Sequence, residues 1–127
     1  MKYLNILAFG MTFIGSIAIA EESDRYNGKW HGHCGYSHIR VELKGNAGTY
    51  GSVNRYSNGF SGNPCPNLDS PVDVIKSEPD KLVFLVSGSR VLTGCPNFRL
   101  FMKPVDKEHL KGSIEKLADI PCELSRD

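Results

Sequence analysis

The stretch HGHCGYSH, His31 to His38, concentrates three histidines and a cysteine in eight residues directly after the only tryptophan, Trp30. Imidazoles and a thiolate at close spacing are the raw material of a zinc or copper site, and a cysteine beside a histidine is that of a thiol nucleophile. Both chemistries depend on side chains converging, so the backbone that carries them has to be worked out first. Alternation on a strand would put Trp30, Gly32 and Cys34 on one face and His31 and His33 on the other. In the following run Ile39, Val41 and Leu43 share a face opposite His38, Arg40, Glu42 and Lys44. The tryptophan and the aliphatic residues belong inside. The three histidines therefore point outward and Cys34 inward, which removes it as a fourth ligand and as the partner of a catalytic base. The expected reading is a solvated histidine face; a metal held by His31, His33 and His38 is the lesser alternative.

Other chemistry finds little purchase. The chain holds no G-x-S-x-G, no glycine-rich phosphate loop and no H-E-x-x-H. The acidic residues Glu78, Asp80, Asp106 and Glu108 fall in turns rather than facing one another across a cleft, as a glycosidase pair would. No catalytic residue and no cofactor are expected, and a binding protein is favoured over an enzyme.

The first twenty residues place the chain in a compartment. Lys2 precedes an apolar run from Leu4 to Ile19, and Ala18-Ile19-Ala20 is a small-x-small cleavage signal ahead of Glu21-Glu22. Residues 1–20 are thus expected to be a secretory signal peptide and 21–127 a single exported domain without a membrane anchor, periplasmic or secreted. The full chain carries 15 basic and 14 acidic residues, a net charge of +1, and losing Lys2 would leave the two signs equal. Without a basic excess there is no electrostatic case for nucleic acid. Four cysteines, Cys34, Cys65, Cys95 and Cys122, lie about thirty residues apart rather than in C-x-x-C pairs. That spacing, in an oxidising compartment, reads as structural disulfides.

The elements positioning these residues are strands. Short alternating runs predict eight: Gly28 to Cys34, Ser37 to Lys44, Thr49 to Asn54, Val72 to Ser77, Lys81 to Ser87, Asn97 to Lys103, Glu108 to Glu115 and Ile120 to Leu124. Turn-forming residues at KGNAG, SEPDK and PVDKE join several of them as hairpins. A long polar connection, Arg55 to Pro71, carries Cys65, which would pin it. Eight sequential strands predict a small antiparallel meander β-barrel, closed so that the first and last strands meet. Cys34 and Cys122, each on an inward face, then bridge the closing strands, which leaves Cys65 and Cys95 to tie the loops. Pro121, without an amide hydrogen, marks a bulge or imperfect closure. Strands this short enclose little beyond their own side chains, with Trp30, Phe84 and Phe98 among the fillers. On the outside, Val83, Leu85 and Phe101 flanked by Arg99 and Lys103 would form an apolar partner surface.

Two families resemble parts of this chain. NGKW, from Asn27, is similar to the G-x-W opening of calycin barrels such as lipocalins and avidins, in which the tryptophan plugs the barrel base. HGHCGYSHIRVELKG, SGSR at Ser87 to Arg90, FRLFMK and the terminal PCEL resemble the periplasmic and membrane-bound inhibitors of c-type lysozyme, small eight-stranded barrels. That resemblance implies that Ser87 and Lys103 enter the active-site cleft of a lysozyme-type glycosidase. Lys103, with the Ser87 to Arg90 loop (Ser87, Gly88, Ser89, Arg90) beside it, is then expected to form the contact with that enzyme or another envelope protein, the partner presenting carboxylates. The calycin resemblance implies instead a carrier of a small ligand. The discriminating feature is the interior, which is filled in an inhibitor and hollow to the mouth in a carrier.

Overall fold

In the computed structural model, which describes residues 24–54, 65 and 68–127, the strands close into an eight-stranded antiparallel barrel in chain order. The expected signal peptide, residues 1–20, and most of the 55–71 connection lie outside the described residues. Strands β1 (Gly28–Cys34), β2 (Ser37–Lys44) and β5 (Lys81–Ser87) have the bounds their alternation predicts. Four are longer than expected, β3 (Ala47–Asn54), β4 (Ser70–Glu78), β6 (Asn97–Asp106) and β8 (Leu117–Arg126), and β7 (His109–Ile114) is shorter by one residue at each end. Strand β6 runs through Pro104 because the register shifts there, between Pro104 and Asp106, and a bulge tolerates a residue without an amide hydrogen.

Closure pairs Trp30 with Arg126 and Cys34 with Cys122, and the cysteines are bonded; Cys65 and Cys95 form the second disulfide. No free cysteine remains, and two disulfides are the covalent mark of an oxidising environment. Among the described residues no helix is long and apolar enough to cross a membrane. The irregularity expected beside Pro121 is present, but on the other side of its strand. Strand β8 is regular against β1, whereas against β7 the register jumps from Ser113–Pro121 to Ile114–Leu117. Closure is also tight. A Cβ on Gly32 would lie 1.8 Å from the carbonyl oxygen of Glu123, so only glycine lets β1 approach β8 this closely.

Inward side chains fill the barrel. Ile39, Leu82, Phe84, Leu100, Met102, Leu110 and Leu124 are almost fully buried and form one cluster with Trp30 and Cys122. The base is sealed by Trp30, 2 % exposed, whose Nε1 donates to the Tyr26 carbonyl at 3.0 Å. The Arg126 guanidinium lies 4.1 Å from the centre of the Trp30 ring and donates to the carbonyls of Asn27 and Lys107. An arginine stacked over an aromatic face while its N–H groups satisfy loop carbonyls both covers the ring and fixes the entry of the chain into β1.

The outer face departs from simple alternation beside the β4 bulge, and again at Ser87, which is buried. Val83 has outward parity yet is 5 % exposed, so it is not part of an exposed patch. A bulge between Val74 and Lys76 sets both Ile75 and Lys76 outward next to Val83, and Phe101 flanks it from β6. The apolar surface that remains is Ile75, Phe101 and half-buried Leu85.

Candidate functional site

The histidines lie on the outside of β1 and β2. His31 and His33 are exposed and His38 is half-buried, directly across the hairpin from His33. Two carboxylates that β1 and β2 do not supply meet them. His31 Nδ1 is bonded to the Asp127 carboxylate, and His33 Nε2 stands 3.9 Å from Glu123, which also accepts Lys111 at 3.6 Å. Each imidazole thus addresses its own carboxylate instead of converging on a common point, and among the described residues no group of His, Cys, Asp and Glu could hold a metal ion. These carboxylates were missed in sequence, although closure supplies the signal: with Cys122 and Leu124 inward, Glu123 and Ser125 must face out beside β1. A fourth histidine, His109, pairs with Asp106 at 2.8 Å. Hydrogen bonds to Asp106 from the Glu108 backbone N–H and from His109 hold that exposed carboxyl below its ordinary range.

The partner-contact residues expected from sequence divide into two groups. Ser87 pairs with Asn97 at the start of β6, whereas Lys103 lies six residues further along that strand, roughly 20 Å away at about 3.4 Å per residue. The expectation that Lys103 stands beside the Ser87–Arg90 loop is therefore corrected. Both share the outward side of the sheet but occupy opposite ends of it, because parity fixes the face and not the height. Lys103 is exposed opposite Lys111, Phe101 is 37 % exposed, and Arg99 is held by Glu115 at 2.9 Å.

The loop itself is a built object. Ser87 and Gly88 are buried, while Ser89 and Arg90 are exposed in a 3-10 turn, Gly88–Arg90. Val91 and Leu92 follow, 44 % and 41 % exposed. The Gly88 carbonyl accepts the amides of Val91 and Leu92, the Leu92 carbonyl accepts that of Cys95, and Asn97 accepts the Ser89 amide at 3.0 Å. The Cys65–Cys95 disulfide anchors the far limb, and Arg90 lies 3.6 Å from Asp73 on β4. Glycine is required at 88, since a Cβ there would fall 2.5 Å from the Pro96 carbonyl on the opposite limb. Sequence reading singled out Ser87 to Arg90 but not Val91 and Leu92, whose exposure depends on the turn that projects them.

Beneath the loop the mouth of the barrel holds a cavity of about 180 Å³, lined by Ser37, Tyr50, Ser52, Leu68, Ser70, Val86, Phe98 and the disulfide, among others. Phe98, expected in the core, is only partly buried and forms its wall, edge-on to Tyr50 with ring centres 5.3 Å apart. Burial pushes the Tyr50 phenol up to about 12, a hydrogen bond with Ser52 pulling weakly the other way.

Comparison of the chain with protein-family models, with curated proteins and with solved structures finds no match.

Proposed function

We propose that the chain is an exported, non-enzymatic protein-binding module, periplasmic or secreted, that recognises its partner through the Gly88–Pro96 loop and the outer face of β5 and β6 beside it. The observation that carries this reading is the loop: two exposed aliphatic side chains on a turn tied by backbone bonds and a disulfide. A rigid loop loses little conformational freedom on binding, so the apolar area it buries is converted into affinity rather than spent on ordering. From its tip the surface continues through Arg90, Leu85, Arg99 and Phe101 to Lys103. A span of roughly 20 Å fits within one standard interface of about 800 Å² per partner. The loop and Lys103 can therefore both contact one protein, as two poles of a footprint.

The filled interior favours this reading over a carrier. A carrier's pocket is typically about 300 to 1,000 Å³, and the axis of this barrel is occupied by Phe84, Leu82, Leu100 and Met102. The resemblance to inhibitors of c-type lysozyme supplies the partner class to try first, a peptidoglycan-cleaving glycosidase. The separation of Ser87 from Lys103 means that the two cannot enter one carboxylate pair together; Lys103 alone would supply the charge and the loop the apolar anchor. The test is lysis of bacterial cell walls by a c-type lysozyme, followed by turbidity, with complex formation checked by size-exclusion chromatography. Inhibition at micromolar protein with a co-eluting complex supports the lysozyme reading, and neither at that concentration removes it.

A further inference from the structure

The mouth cavity is not needed to bind a protein partner, and its lining is selective. Its walls are the aromatic pair Tyr50 and Phe98, the side chain of Val86 and the Cys65–Cys95 disulfide, and the hydroxyl-bearing residues Ser37, Ser52 and Ser70 line it beside the Tyr50 phenol. Among the described residues no charged side chain lines it. At about 180 Å³ it is near the size of the roughly 150 Å³ apolar cavity that takes up benzene, and too small for a fatty acid or a haem. Below it the core is closed by Phe84, Leu100 and Ile39, all fully buried, so a ligand cannot extend down the axis.

We propose that the barrel mouth is a binding site for a single-ring, uncharged aromatic molecule bearing one hydroxyl, of the phenol or benzyl alcohol class. The ring would pack against Phe98, Val86 and the disulfide, where aromatic edge-to-face contact is already the local geometry. The hydroxyl would pair with the Tyr50–Ser52 hydrogen-bonding group, which offers both donors and acceptors. A carboxylate on the ring would find no cation among the described residues and would lose its hydration. Tyr50 stays a neutral phenol through the physiological range because burial raises it, so the site does not become anionic and its selectivity is constant with pH there. For a ligand of about seven or eight heavy atoms, affinities of roughly 0.1 to 1 mM are expected. The cavity shares Gly88 and Cys95 with the loop, but this proposal stands on the cavity alone and survives failure of the protein-binding reading.

The experiment is an amide NMR titration of the disulfide-bonded protein with phenol, benzyl alcohol, toluene and benzoate. Phenol and benzyl alcohol should give saturable shifts centred on Tyr50, Ser70, Val86, Gly88 and Phe98, with benzoate at least tenfold weaker. Tyr50→Phe should weaken phenol about threefold to tenfold, the loss of one hydrogen bond, while leaving toluene within about twofold. Val86→Phe, which fills the cavity, should abolish the shifts; if it fails to fold, the phenol-to-toluene ratio in Tyr50→Phe decides alone. Unsaturated shifts at 10 mM (about tenfold above the expected range), shifts spread over the outer face, benzoate binding as well as phenol, or equal weakening of phenol and toluene by Tyr50→Phe would each overturn the proposal.

Discussion

Removing the two disulfides separately should destabilise the barrel unequally, and the order follows from where they close the chain. Cys34 and Cys122 are separated by 88 residues and Cys65 and Cys95 by 30. On the chain-entropy relation these loops are worth ~4.6 and ~3.6 kcal/mol at 25 °C. The first pair is also buried at the β1–β8 seam, with Cys122 fully inaccessible, so Cys34→Ala with Cys122→Ala leaves a small void that adds about 1 kcal/mol. The second pair lies at the mouth, where Cys65→Ser with Cys95→Ser removes the tether without opening the core. For a domain of about a hundred residues, total stability is of order 5 to 15 kcal/mol, so the seam variant should lose a third or more of it. Urea unfolding followed by tryptophan fluorescence is the assay, and Trp30, at the closed base, reports the whole barrel. With a slope near ~1.5 kcal/mol/M the midpoint should fall by roughly 3 to 4 M for the seam pair and by a smaller ~2.4 M for the mouth pair. A seam loss below about 2 kcal/mol, or a mouth loss that exceeds it, would refute the assignment of the seam as the main covalent constraint.

Three further outcomes follow from side-chain environments. Because Tyr50 titrates near 12 in the folded state and near 10 unfolded, the folded protein holds that proton more tightly. Its contribution is complete below pH 10 and is lost as pH rises to 12, by up to ~2.7 kcal/mol; Tyr50→Phe should flatten that fall in urea melts at pH 8 and pH 11, and an unchanged slope would contradict it. Replacing His31 and His33 together by Gln should change stability by no more than about 1 kcal/mol, since their carboxylate partners are half-exposed, and a chelator should leave the melting temperature unmoved. A shift with chelator would indicate a bound metal. Gly32→Ala should cost about 3 kcal/mol or more, because the new methyl meets backbone that cannot step aside, and a near-neutral result in the same melts would show that the seam is looser than described.

Period-two alternation carries faces, and faces were enough to place Cys34 opposite Cys122, to send the histidines outward and to mark Trp30 and Phe84 as core. What alternation lacks is height along the strand and any sign of a bulge. Lys103 and Ser87 share a side of the sheet in sequence and in the fold, but only the ladder shows that a strand's length separates them. The bulge at Ile75 contains neither glycine nor proline, so nothing in VDVIK announces that two successive residues face out and that Val83 is covered as a result. Glu123, beside His33, follows from closure as directly as Cys122 does, because successive residues of β8 face opposite sides of the sheet. The mouth cavity and the projection of Val91 and Leu92 arise where several chain segments meet, and no local pattern encodes such a place.

The most direct measurement is a comparison of three proteins in the lysozyme inhibition assay: wild type, Val91→Asp with Leu92→Asp, and Lys103→Ala. None of these side chains is in the core, so all three should keep the same near-ultraviolet circular dichroism and urea midpoint. If the braced loop is the apolar anchor, charging its tip should weaken inhibition by at least about thirty-fold, since burying an unpaired carboxylate costs more than about 2 kcal/mol. Lys103→Ala should weaken it by a similar factor if its ammonium meets a desolvated carboxylate. Inhibition by wild type that the loop variant matches within about twofold would contradict recognition through the loop.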